Sequence, residues 1–414
     1  MPVDATATQS LPTAQVGGSP LSLGNLLMVP LKYNVRNLRV RWVNTLMTVL
    51  GTGMIVWSSC SLFSLVEGLQ HSLKLSGDPL DLIVLRKGST SETSSGIEAD
   101  KSDKILNLAG IARDESGKVL AAGELIHIPV VERVSGGRAN LIVRGVEPVS
   151  SKLRPDFKIV QGRDLVPGKG EAIVSLSMSR RFHGAGLGQT LKLGAKESYR
   201  VVGLFTAGGS AAESEAWVDL RDLRQNTRRE GYVSSVQVRA AGLADRDRLQ
   251  KSIQDDPQFM LAAFPEPEFY AEQSRTAVFY KAAGVVIAVF LSIGAMFAAA
   301  NTMFAAVSSR TREIGTMRAL GFSRFSILMS FLGESVLLCA LGGIVGVLAT
   351  LPLSFLTLGT NNIDTFAEVS VNFRFGPLVL AVACAMTLAM GVFGGLFPAI
   401  RAVRMDVISS LREL

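Results

Sequence analysis

Few residues in this chain have the spacing that catalysis needs. The three histidines, His71, His127 and His183, lie far apart with no cysteine near them, so no His/Cys metal site is written into the sequence. The run GKG at 168–170 lacks both the spacing and the hydroxyl residue of G-x-x-x-x-G-K-[ST], so it cannot cradle a nucleotide phosphate. G-x-S-x-G and H-E-x-x-H are also absent from the sequence. ESEAW supplies paired acids, Glu213 and Glu215, which alternation on a strand would put on one face. The expectation there is a solvated sheet edge rather than an acid–base pair. What remains is RTREIGTMRALGFSR, residues 310–324. Its Ile314, Met317 and Leu320 recur every third residue and share one helical face. Arg312, Gly315, Thr316 and Ala319 cluster on another face, and Gly321 suits a helix C-terminus. A mid-helix glycine costs about 1 kcal/mol relative to alanine, which implies close approach of another chain segment at Gly315. The chemistry on offer is docking, with Arg312, Glu313 and Arg318 as polar contacts around a small-residue face. A basic loop without a partner explains the arginines but not the glycine or the stripe, and composition leaves both readings open.

The elements that must position this stretch are apolar. Hydrophobic residues make up 48% of the 414. Four stretches, 43–66, 277–306, 327–358 and 377–397, are nearly free of charge and each exceeds or matches the roughly 20 residues that cross a bilayer. Lys281 lies near the start of the second, and Glu334 is an acid within the third, where a carboxylate is costly unless it faces protein or water. Glu334 is read either as part of a moving interface between chains or as a satisfied structural acid. The first stretch is expected to be a transmembrane anchor rather than a cleavable signal peptide: it begins 42 residues in, is longer than a signal core, and ends without a small-x-small site. The WSS before Cys60 is a poor lipobox.

Charge gives an orientation. Residues 67–275 hold 29 Lys and Arg against 28 Asp and Glu, so nearly all of the net charge of +7 lies elsewhere. It gathers before the first span (Lys32, Arg36, Arg39, Arg41), between the second and third (Arg310, Arg312, Arg318, Arg324) and after the fourth (Arg401, Arg404, Arg412). By the positive-inside rule both termini and the loop 307–326 are expected in the cytoplasm and residues 67–275 on the outer side. The basic balance therefore reports orientation, and no nucleic-acid partner is expected. Cys60, Cys339 and Cys384 all fall in expected spans, so the large outer domain must fold without disulfides.

Along the chain, residues 1–25 read as a disordered cytoplasmic tail and 26–42 as an amphipathic juxtamembrane helix. In the outer domain, DLIVLR (81–86), 124–134 and 138–146 read as strands, with a helix near 98–109. The texture changes after Pro148: short strands at 189–193, 199–206 and 215–220 alternate with glycine turns. A strand at 233–240 and a charged helix near 243–254 then resume the first texture, so a subdomain at about 150–222 is inserted in another. The fold class is an α-helical membrane protein with four transmembrane helices and a large extracytoplasmic mixed α/β domain. A short outer loop, 359–376, joins the last two spans, and 398–414 forms a cytoplasmic tail.

R-E-I-G-T-M-R-A-L-G-F-S, residues 312–323, closely resembles the signature of the FtsX/MacB-like ABC transporter permeases. FLGESVLL (331–338) is similar to the family's third span with its acid. FPAIRAVRMDVISSLREL resembles the family's ending, with Val407 where proline is usual. VRGVEP through KIVQGRDL, EAIVS and VVGLF resemble the MacB-type outer domain with its porter and sabre subdomains. The resemblance implies that the helix of Arg312, Glu313, Ile314, Gly315, Met317, Arg318, Ala319, Leu320 and Gly321 couples to an ABC ATPase. That ATPase is a partner chain that binds ATP, so the expectation here is a non-catalytic subunit without cofactor or metal. It further implies a second permease chain in a homo- or heterodimer, and, for MacB-type pumps, a periplasmic adaptor and a TolC-like outer-membrane duct. Export or extraction of a substrate from the outer side of the bacterial inner membrane is the expected function. An FtsX-like relay to an outer partner and LolC/LolE-like lipoprotein release are the alternatives within the family. A membrane-anchored sensor or adhesin without ATPase is the alternative outside it, and leaves the signature unexplained.

Overall fold

A computed structural model describes residues 42–154, 156–194, 197–273, 275–361 and 368–404. The tail 1–25, nearly all of the juxtamembrane segment 26–42 and the end of the C-terminal tail lie outside the described residues. Helix α1 (Trp42–Leu75) leads into β1 (Asp81–Arg86), a 3-10 turn (Glu92–Ser94), β2 (Ile97–Glu98) and α2 (Ala99–Leu106). β3 (Ala121–His127), β4 (Val130–Glu132), β5 (Arg138–Asn140), β6 (Ile142–Val146), β7 (Phe157–Gly162) and β8 (Glu171–Ser175) follow. Then come α3 (Leu176–Ser179), β9 (Thr190–Lys192), β10 (Ser198–Ala207), a 3-10 turn (Ala211–Ser214), β11 (Glu215–Asp219) and α4 (Leu220–Thr227). β12 (Tyr232–Val233), β13 (Ser235–Arg239), α5 (Leu243–Asp255), β14 (Leu261–Pro265) and α6 (Glu266–Gln273) close the domain. The chain ends in α7 (Arg275–Ser308), α8 (Thr311–Ala319), α9 (Arg324–Thr350), β15 (Thr357–Asn361), β16 (Glu368–Asn372) and α10 (Pro377–Arg404).

Four helical stretches among the described residues are long and apolar enough to cross a membrane, contained in Thr45–Leu75, Glu266–Ser308, Arg324–Phe355 and Pro377–Arg404. α1 has 34 residues, about 51 Å at 1.5 Å per residue, and outruns a hydrocarbon core of about 30 Å. The expected plain loop at 359–376 is partly a hairpin, β15 pairing antiparallel with β16. The third span's helix ends at Thr350, earlier than the apolar run, because Pro352 lies in a 3-10 turn that continues it.

The chain divides into two compact units. Among the described residues, one holds 57–289 and 347–383, the other 42–56, 290–346 and 384–404. The first contains a ten-stranded mixed sheet in the order β14-β1-β13-β3-β6-β11-β8-β10-β7, with β9 on β10. Strands β7 to β11, from the segment expected as an insert, form one end of it, and the join is the parallel pair β6–β11. Both sheet faces are covered, which is why β1 reads as a continuous apolar run rather than an alternating one. Leu82 and Val84 join the main core with Ile105 of α2, Leu223 of α4 and Ile253 of α5. Ile83 and Leu85 pack on the other face against Phe269 of α6. Each such side chain, fully buried, contributes roughly 1.5–3 kcal/mol.

The second unit contains the close-packed parts of the long helices. A side chain at Gly342 of α9 would place its Cβ 1.9 Å from Thr52 Oγ1 and 2.9 Å from the Val49 carbonyl oxygen of α1. Glycine there lets two backbones approach, as small residues do between helices in lipid.

Candidate functional site

The opening basic stretch folds into α8, a nine-residue helix. It ends as its residues dictate: Gly321 takes φ +94°, its N–H donates to the Arg318 carbonyl, and the Phe322 N–H donates to the Met317 carbonyl. This pair of bonds closes the helix through a left-handed residue that glycine adopts without strain. Ile314 is buried in a cluster with Met303, Val307, Ile327, Phe331, Leu338, Ala399 and Ala402, and half-buried Met317 packs against it. Leu320, expected on the same stripe, lies beyond the last turn and is 71% exposed. Gly315 is buried beside Ile314. Gly315 is thus covered by residues of this chain, although Arg312, Thr316 and Ala319, which the helical pattern groups with it, are exposed. The outward face carries Arg312, Glu313, Thr316 and Ala319, with Leu320 and Gly321 following and Arg318 half-buried.

Glu334 finds a partner that composition did not assign. Arg310, the residue preceding α8, donates from Nη1 to Glu334 Oε2 at 2.9 Å and from Nη2 to Oε1 at 3.2 Å. Both side chains are almost wholly buried, 8% and 5% exposed. A planar guanidinium matched to a carboxylate by two bonds has a fixed relative orientation. The joint therefore ties the start of α8 to the middle of α9. The signal in the sequence was one arginine of the stretch with a single acid in the next apolar run, but four arginines competed for it.

A second arrangement of charge lies inside the large domain. Arg144 on β6 reaches Glu215 on β11, Glu124 on β3 and Glu92 of the first 3-10 turn at 2.7–2.9 Å. Arg154 also holds Glu124, and the Trp217 indole N–H donates to Glu215 Oε2 at 2.7 Å. The expected solvated edge at Glu213 and Glu215 is thus corrected. Glu213 sits in a 3-10 turn, and Glu215 is buried on a central strand with Arg144 as its counter-charge. Burial pushes the Glu92 carboxyl up, but Arg144 and the Ser235 hydroxyl outweigh it and hold it below the ordinary value. Glu124 is likewise driven up by burial and brought below it by Arg154 and Arg144. The Arg144 guanidinium is disfavoured by burial and then raised well above its ordinary value by the three glutamates. The cluster joins strands on both sides of the β6–β11 join and is a lock rather than a catalytic centre: every charge faces an opposite one.

His127 Nε2 lies 3.6 Å from Glu197 Oε2, but no group of three or more His, Cys, Asp or Glu suited to a metal exists among the described residues.

Residues 45–256 match the model of the MacB-like periplasmic core domain, and residues 285–407 match the FtsX-like permease C-terminal model. The macrolide export ATP-binding/permease protein MacB of Bdellovibrio bacteriovorus is 24% identical over 88% of this chain and 59% of its own length. MacB of Hyphomonas neptunium is 23% identical over 96% of this chain and 62% of its own. The chain thus spans about three fifths of these relatives. MacB of Brucella abortus reaches 38% identity over 30% of this chain and 17% of its own. The crystal structure of the periplasmic region of MacB from Actinobacillus actinomycetemcomitans aligns at 11% identity and a TM-score of 0.36, covering 48% of this chain and 94% of that one. With one of these models spanning just over half of its length, the chain belongs to the FtsX-like, MacB-like permease family of ABC transporters.

Proposed function

We propose that this chain is the transmembrane subunit through which an ABC ATPase on a partner chain drives the large domain, exporting or extracting a substrate from the outer side of the inner membrane. The carrying observation is α8: a short helix whose polar and small residues point outward while Ile314, Gly315 and the Arg310–Glu334 pair hold its inner side. A surface loop that merely carried positive charge would not need a buried bidentate joint behind it. The 414 residues contain no phosphate loop, which fits the proposal that ATP is bound on an ATPase partner. The charge distribution supports a reading with α8 and both termini in the cytoplasm and residues 67–275 in the periplasm. A second permease chain completes the transmembrane unit, and an adaptor with a TolC-like duct would carry the exported substrate onward.

A photo-crosslinking amino acid tests this directly. At Thr316, on the exposed face, it should capture an ABC ATPase in membranes under ultraviolet light; at buried Ile314 it should capture none. Capture from neither position, with the protein correctly inserted, would contradict the coupling role.

A further inference from the structure

α1 continues past Val66, where the apolar run ends, and its next turns form one wall of a polar cavity of about 240 Å³. His71 and Ser72 line it from α1, Ser210 and Glu213 from the segment after β10, and Arg374 from the chain after β16. The walls are bonded to one another. The Ala211 N–H donates to Ser76 Oγ at 2.7 Å and the Ser370 N–H to Ser214 Oγ at 2.9 Å. Ser64 Oγ donates to the Arg374 carbonyl at 2.9 Å, and the Arg374 N–H returns a bond to the Ser64 carbonyl. The cavity is a framed site rather than a gap between loops.

Its polar groups are placed to meet a ligand. Ser210 is buried, and its Oγ has no hydrogen-bond partner among the described residues; a buried hydroxyl left unpaired is unfavourable. Glu213 Oε1 accepts the N–H groups of Ala207 and Gly209, both at 2.9 Å, which fixes the carboxylate on its wall. Arg374 is exposed to the cavity side, and both it and Lys74 act electrostatically on His71. One wall therefore offers a cation and another an acid.

The volume falls below the roughly 300–1,000 Å³ that encloses drug-sized ligands, so the site suits a fragment such as a headgroup. Its position agrees. Residues 68–75 rise about 3–14 Å beyond Val66 along the helix, which overlaps the headgroup layer of roughly 5–7 Å on each side of the hydrocarbon core. We propose that this cavity holds the headgroup of a phospholipid bearing a primary ammonium, with the phosphate on Arg374 and Ser210 and the ammonium on Glu213. A guanidinium matches phosphate oxygens, and ammonium–carboxylate bonds are charge-assisted.

The full chain in neutral detergent, titrated with short-chain phosphatidylethanolamine or phosphatidylglycerol and read by native mass spectrometry, tests the assignment. Phosphatidylethanolamine should bind at least about tenfold more tightly than phosphatidylglycerol. Arg374→Gln should weaken both by about tenfold or more. Glu213→Gln keeps an acceptor for the two backbone N–H groups and should abolish the preference without loss of phosphatidylglycerol binding. Equal affinity of the two lipids for the native chain, or no change in Arg374→Gln, would overturn the proposal. Glycerophosphoethanolamine, which lacks acyl chains, should bind far more weakly; equal binding would refute a lipid source.

Discussion

Arg310, just ahead of α8, grips both carboxylate oxygens of Glu334 on α9 in a site closed to solvent. Removing one member strands the other charge, which costs about 3–5 kcal/mol, whereas replacing both by apolar residues is often near neutral. Glu334→Ala should therefore lower the unfolding midpoint in mixed micelles sharply, and Arg310→Met with Glu334→Leu should recover most of the loss. A double variant as unstable as the single one would mean that the pair is not the source.

The charge lock of the large domain makes a pH prediction. Glu92 and Glu124 are held below their ordinary value of 4.5, the arginines outweighing the effect of burial. Glu171 falls to about 2, chiefly through its hydrogen bond to Arg163. A carboxyl with a depressed folded value stabilises the fold fully above its unfolded value, and that contribution is lost as pH falls through the folded one. Burial raises Asp81 and Glu147, which pull the opposite way. With the lock dominant, the domain should lose stability progressively as pH falls below about 4.5, measured by Trp217 fluorescence in a Trp42→Phe, Trp57→Phe background. Undiminished stability down to the value of about 2 for Glu171 would show that the lock does not stabilise the domain.

What the sequence disclosed and what it withheld follow from the range of the interactions. The apolar runs and the strands at 81–86, 199–206 and 215–220 were legible because burial writes itself into local periodicity. The C-terminus of α8 was legible because Gly321 satisfies a local backbone need. Glu215 was misread because its counter-charge, Arg144, comes from 71 residues away. The burial of Gly315 beside exposed Arg312, Thr316 and Ala319 was not legible, because a helical pattern gives faces but not how far the rest of the chain covers them. β15 and β16 were hidden by their place between two apolar runs.

Close packing between α1 and α9 is also testable. An alanine Cβ at Gly342 would overlap Thr52 Oγ1 and crowd the Val49 carbonyl, and the second of these is backbone. Overpacking of this kind costs typically about 1–3 kcal/mol. Gly342→Ala should destabilise the chain within that range, and adding Thr52→Ala should restore only part of it. Full restoration would mean that Val49 is not a constraint.

Orientation can be read with single cysteines in a background lacking Cys60, Cys339 and Cys384. Ser116 and Thr316 are both exposed. A membrane-impermeant thiol reagent given access to the periplasm should label a cysteine at 116 in intact cells and one at 316 only after lysis. The reverse pattern would invert the proposed topology.

Docking of an ATPase on the outward face of α8 is the central claim, and one substitution addresses it. Ala319 is exposed in the last turn of the helix, opposite in direction to the buried Ile314 side chain, so Ala319→Trp enlarges the surface that the ATPase would meet. Interface positions that matter typically cost about 2 kcal/mol or more, and about 1.4 kcal/mol is already tenfold in affinity. The measurement is recovery of the co-purified ABC ATPase together with its ATP turnover, compared with Ser116→Trp in the large domain. The account predicts that Ala319→Trp loses tenfold or more in ATPase recovery and permease-dependent turnover while inserting normally, and that Ser116→Trp loses neither. Equal recovery and turnover in the two variants would contradict it.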